Sequence, residues 1–141
     1  MEKGTFCRFI IVDNSINIAL TELTIGKVIE HAQIQSFTVP QAALKFIEEE
    51  YNKKSKSIPT VLLLNFQMAE MSGFEFLNTF SKFSDAIKNQ FKIFASFSSA
   101  TKKEIEKALG YSYVVDYRVR PLTTTILKKW IEENGLEFSG C

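Results

Sequence analysis

Residues 60–73, TVLLLNFQMAEMSG, limit what this chain can fold into more than any other stretch. Val61, Leu62, Leu63 and Leu64 are successive apolar residues. A strand with one wet face alternates apolar and polar side chains, so this unbroken run predicts a central strand covered on both sides. Asn65 follows directly and marks where the strand meets water. In an open α/β sheet ligands bind beyond the carboxyl ends of the strands, which makes Asn65 the first candidate functional residue.

The same grammar recurs along the chain. Residues 9–12 are a second continuous apolar run, ending in Asp13-Asn14-Ser15, good caps for a helix whose inward face would carry Ile16, Leu20, Leu23 and Val28. Residues 34–39 are β-branched and aromatic but more polar, as in an edge strand, and Pro40 opens a helix striped by Leu44, Ile47 and Tyr51. Phe74, Leu77 and Phe80 or Phe83 recur at helical spacing. Residues 91–95 read as a fourth strand ending at Ser96. A short helix over 101–109 turns Ile105, Ala108 and Leu109 inward and stops at Gly110. Residues 113–117 read as a fifth strand, and Pro121 starts a last helix carrying Leu122, Ile126, Trp130 and Ile131 and ending near Asn134-Gly135. The 13 phenylalanines fall mostly on these apolar faces, so they are core rather than a binding surface.

Strands alternating with helices imply a doubly wound, three-layer α/β sandwich around a five-stranded parallel sheet with five helices. At 141 residues the chain is one domain, 1–141, with a core over about 8–134 and a short tail over 135–141. Its 17 basic and 16 acidic side chains give no global field to attract nucleic acid or an anionic membrane. It shows no signal peptide and no apolar run near the about 20 residues of a membrane span, so a cytoplasmic protein is expected. Cys7 and Cys141 then read as two reduced thiols. The basic connection over 52–57, NKKSKS, reads as a solvated loop rather than a phosphate site, and His31 as an ordinary cation at a helix end rather than a phosphotransfer histidine.

The strand ends carry a specific pattern. Asn65-Phe66-Gln67-Met68-Ala69-Glu70-Met71-Ser72-Gly73 follows the frame of an acceptor Asp followed by x-x-M-P-x-M-x-G. Val12-Asp13-Asn14 sits where an acidic pair follows the first strand, Ser96 where a Ser or Thr follows the fourth, and Tyr117-Arg118-Val119-Arg120-Pro121 where aromatic-x-x-Lys-Pro follows the fifth. In these motifs, in this order, the chain resembles a receiver domain of bacterial two-component signalling, the module of chemotaxis-type response regulators. The resemblance implies a flavodoxin-like fold with strand order 2-1-3-4-5. It places Asn65 at the phospho-acceptor position, Ser96 (or Ser98, by register) and Tyr117 at switch positions, and Arg120 at the position of the family's lysine. It places Mg²⁺ on the acidic pair, the acceptor and a backbone carbonyl, here that of Gln67.

The departures decide what such a domain would do. An amide oxygen is a poor nucleophile and brings no charge, so Asn65 would not form an acyl phosphate. Of the three usual carboxylates only Asp13 remains, and Asn14 and Asn65 are neutral, so neither Mg²⁺ nor another cofactor is expected. Asp13 and Arg120 are expected to pair in its place. The reading is a stand-alone receiver-like domain in a phosphorelay pathway, not an enzyme, which acts by contact with a histidine kinase, another signalling protein or a second copy of itself. Its contact face would draw on Lys102, Lys103, Lys107, Tyr117, Arg118, Lys128 and Lys129, a basic set suited to an acidic partner. The alternative is a phospho-accepting regulator in which Asn65 is an engineered change or another residue takes the phosphoryl group. A flavodoxin-type cofactor domain would need a phosphate-binding loop after the first strand, and none is present.

Overall fold

The computed structural model describes residues 5–52, 57–119 and 121–139; Arg120, Cys141 and residues 53–56 lie outside them. The elements run β1 (Thr5–Phe6), β2 (Arg8–Val12), α1 (Ser15–Val28), β3 (Gln33–Phe37), α2 (Pro40–Tyr51), β4 (Thr60–Asn65), α3 (Gly73–Phe80), α4 (Asp85–Lys88), β5 (Phe91–Phe97), α5 (Lys102–Leu109), β6 (Val114–Val119), α6 (Thr124–Asn134) and β7 (Glu137–Phe138). The main sheet has the order β3-β2-β4-β5-β6, and every pairing in it is parallel. This is the 2-1-3-4-5 order that the resemblance implies. β4 is buried along its whole length, as its uninterrupted apolar run requires.

Side-chain alternation divides the core in two. Phe9, Ile11, Val61, Leu63 and Phe94 point to the face covered by Ile25 of α1 and Leu127 and Trp130 of α6. Ile10, Val12, Leu62, Leu64, Ile93 and Ala95 point to the other, covered by α2, α3 and α5. Each of the larger buried side chains contributes roughly 1.5–3 kcal/mol. Capping boxes at Ser72/Glu75 and Thr101/Glu104 fix where α3 and α5 begin. The last helix starts at the Thr123 cap rather than at Pro121, and ends at Gly135, whose φ of 59° is the left-handed geometry glycine allows.

Helix α1 departs from the sequence reading. Ile16, Leu20 and Leu23 face solvent, 73%, 49% and 64% exposed, and the side turned to the sheet carries Asn17, Ile18, Thr21, Ile25 and Val28. The helix is apolar on two opposite sides, and periodicity alone cannot choose between them. The choice falls to Ile25, which is fully buried, and to Asn17, whose amide reaches Asp13. Leu109 is likewise exposed; Ala108 is the buried residue of α5.

The residues past Asn134 form more than a tail. β7 pairs in parallel with β1, Leu136 is buried, and the Phe138 ring stacks on Phe9 at 5.1 Å. Cys7, next to β1, is disulfide-bonded and not a free thiol; the chain's other cysteine, Cys141, lies outside the described residues. Pairing of β1 with β7 brings the two ends of the described chain together, which sequence separation conceals. His31 sits in the turn after α1 with φ 63° and its side chain exposed.

At the end of the sheet away from Asn65, the buried Arg8 guanidinium lies over the Phe46 and Tyr51 rings and donates to Gln33 Oε1 and Tyr51 Oη. Tyr51 Oη also bonds Thr60 Oγ1 at 2.6 Å. Burial pushes the Tyr51 phenol above its usual pKa, and burial does the same to Tyr113. An unfolded tyrosine ionises near pH 10, so stability that is fully present below about pH 10 is lost as pH rises toward the higher folded values. Phenolate absorbance should therefore show Tyr51 and Tyr113 ionising late and together with unfolding. Ionisation of all four tyrosines near pH 10 in a still-folded chain would contradict this burial.

Candidate functional site

Strand register places a polar row across the carboxyl edge of the sheet. Val12 pairs with Leu64, Asn65 with Ser96, and Ser96 with Arg118. Asp13, directly after β2, and Asn65, Ser96 and Arg118, on β4, β5 and β6, consequently lie side by side, all turned to the α1/α6 face. The first two are more than nine-tenths buried.

Asp13 and Asn65 are joined directly. Asn65 Nδ2 donates to Asp13 Oδ1 at 2.8 Å, while Asn65 Oδ1 accepts the Gln67 backbone N–H at 2.9 Å. A carboxylate only accepts and a backbone N–H only donates, so one orientation of the amide satisfies both partners. Asp13 Oδ1 also accepts the Asn14 backbone N–H at 2.7 Å and Asn17 Nδ2 at 3.1 Å. Three N–H donors thus solvate one oxygen of a buried carboxylate, and among the described residues no cation pairs with it. Asn14 is turned away: its side chain caps α1 by accepting the Asn17 backbone N–H. Gln67 ties the loop after β4 to the loop after β5, its amide donating to the Ser99 carbonyl at 2.9 Å and accepting the Ser98 backbone N–H.

Beside the row is a cavity of about 300 Å³. Ile11, Leu63, Phe94 and Trp130 give it an apolar wall; Asp13, Asn65, Ser96, Ser98 and Arg118 are among its polar lining. Both serines considered for the switch position therefore reach it, but only Ser96 lies in register with Asn65. Tyr117 does not: it pairs with Ala95 and packs against the core on the opposite face of the sheet. Arg118, assigned to the outer contact face by sequence, instead lines the cavity, and its Nε is buried with no hydrogen-bond partner. The cause is a register shift between Ile93 and Phe94, where β6 gains an extra residue. A one-residue slip turns every later side chain to the other face, which brings Arg118 rather than Tyr117 opposite Ser96. Strand length contributes too, since β5 and β6 each run two residues beyond the expected ends. The expected partner of Asp13, Arg120, lies outside the described residues.

A hard dication favours several carboxylate oxygens. This site offers one carboxylate, one oxygen of which already takes three N–H donors, and the Asn65 group facing it is an N–H and not an oxygen. Among the described residues no group of three or more His, Cys, Asp or Glu is placed to hold a metal ion.

No family model matches the chain, and no curated protein matches its sequence. Solved structures do match its shape. A response regulator receiver protein from Dyadobacter fermentans is 23% identical with a TM-score of 0.78, covering 93% of this chain and 99% of the other. A two-component response regulator from Cytophaga hutchinsonii is 22% identical with a TM-score of 0.78, covering 94% and 97%. The fold is that of a receiver domain. A two-component response regulator from Legionella pneumophila is 21% identical with a TM-score of 0.69, covering 92% of this chain and 98% of the other. The polar row falls at the carboxyl ends of the strands and holds Asn65 and Ser96, two of the positions that the sequence resemblance singles out, but not Tyr117. No described helix is long and apolar enough to cross a membrane.

Proposed function

We propose that this chain is a receiver-like signalling module that works by protein contact and is not phosphorylated at Asn65. The hydrogen bond from Asn65 Nδ2 to Asp13 Oδ1 carries the reading. In this arrangement the amide supplies the positive end of a dipole where the family places a divalent cation between carboxylates, so the site is satisfied with neither metal nor phosphoryl group. Among the described residues no group of three or more His, Cys, Asp or Glu is placed to hold a metal ion, and the reading assigns the chain no enzymatic role.

Two surfaces support partner capture. Lys102, Lys103, Lys128 and Lys129 are exposed on the helices that flank the edge strand β6, a basic set that fits an acidic kinase or another signalling protein. The apolar row Ile16, Leu20 and Leu23 on α1 is exposed as well, the helical spacing a partner helix or a second copy would use. Lys107 is exposed as well, with its ammonium 4.4 Å from the Phe74 ring centre.

Incubation with a small phosphodonor and Mg²⁺, followed by intact mass, is expected to leave the chain unmodified. Gain of one phosphoryl group would overturn the reading and favour a regulator that uses another acceptor residue.

A further inference from the structure

We infer that the cavity between the sheet and the α1/α6 layer is a binding site for a small organic anion, an apolar body carrying a carboxylate or phosphate head. This goes beyond the signalling reading and is independent of it, since the cavity lies under Asn65 whether or not that residue is ever modified.

Arg118 is the charged side chain on the β6 side of the cavity. A guanidinium is a planar fork of N–H donors with no acceptor, and an N–H buried without an acceptor is costly to leave unmade. Arg118 Nε is in that state but closed to water, so a ligand would meet Arg118 through the part of the side chain that lines the cavity. A carboxylate or phosphate oxygen matches such a fork better than a neutral acceptor does. Ser96, in register with Arg118, adds a hydroxyl to the same end. The cavity's one acidic side chain, Asp13, is three strands away, roughly 14 Å at the usual inter-strand spacing, and accepts three N–H donors. Asp116, two residues before Arg118 on the same face of β6, is not part of the lining, so Arg118 is the charged side chain at its end of the cavity among the described residues. The remaining wall is apolar, with Phe94 and Trp130 stacked at 4.3 Å beside Leu63 and Ile11. An apolar body with one anionic head fits both parts. At about 30 Å³ per water-sized group, about 300 Å³ holds roughly ten non-hydrogen atoms, the size of phenylacetate.

Trp130 is the chain's single tryptophan, so intrinsic fluorescence reads this cavity without a label. Titration with phenylacetate and with phenyl phosphate should give a saturable change for at least one of them, and the comparison assigns the head group. Phenylacetamide, equal in size and neutral, should bind at least tenfold more weakly. Arg118→Gln should weaken binding of the anion by a similar factor while leaving the far-ultraviolet circular dichroism unchanged. No saturable response to either anion, or equal affinity for phenylacetamide, would overturn the inference. The amide comparison uses the unmodified chain, so the test stands even if Arg118→Gln does not fold.

Discussion

Asn65→Asp is expected to destabilise the chain by about 3 kcal/mol at neutral pH without divalent cations, a fall of about 10 °C in Tm for a domain of this size. The substitution exchanges the N–H that donates to Asp13 Oδ1 at 2.8 Å for a second carboxylate oxygen at the same place. One hydrogen bond is lost and two like charges meet in a buried site, so one of the two carboxyls must keep its proton or the loop after β4 must open. The sign of the pH dependence follows. The introduced carboxyl has its folded pKa raised above the unfolded value near 3.9, so the deficit is absent below about pH 4 and grows as pH rises above it. Chemical denaturation at several pH values measures it. Millimolar Mg²⁺ should restore much of the variant's stability by bridging the two carboxylates, and should leave the unmodified chain unchanged. A variant as stable as its parent at neutral pH in the presence of a chelator would show that Asn65 is not an electrostatic replacement.

Gly73→Ala is expected to cost about 3 kcal/mol, the upper end for overpacking a core. Backbone freedom is not the reason, because Gly73 opens α3 in helical geometry behind the Ser72 cap. A Cβ at this position would lie 2.1 Å from Phe66 Cγ and 2.4 Å from both Cδ atoms. Phe66 has no room to retreat: it is 3% exposed and wedged between Phe74, 5.0 Å between ring centres, and Phe97, 4.8 Å. The loop that carries Asn65 and Gln67 is thereby pinned to the start of α3. Phe66→Ala removes the clashing Cγ and Cδ atoms, so the double variant should lose at least 1 kcal/mol less than the two single losses added together. Strict additivity in urea midpoints would place the cost elsewhere.

The layers were legible because continuous apolar runs, capping residues and Pro40 each specify an element locally, and the order of elements leaves few topologies. Asn65 and Asp13 were legible for the same reason: both directly follow a buried strand. Three features depended on non-local events. The exposed row of α1 is indistinguishable by period from its buried side, and only docking of Ile25 and Asn17 decides between them. Arg118 reaches the cavity through a register shift in β6 that leaves no mark in VVDYRV. The closing pair β1 and β7 joins segments from opposite ends of the sequence, each too short to show a strand pattern. Arg118 offered one signal that periodicity could not interpret, a cation inside a strand next to Tyr117.

The proposed role of the Asn65 amide is to hold Asp13 in place of a metal ion. Nuclear magnetic resonance of the side-chain amides, with Asn65 assigned through its loss in Asn65→Asp, tests it directly. The account predicts an Asn65 NH₂ group with one hydrogen-bonded proton shifted and slow to exchange, moved by Asp13→Asn, and unaffected by millimolar Mg²⁺. An Asn65 amide that moves in a saturable way as Mg²⁺ is added would contradict it.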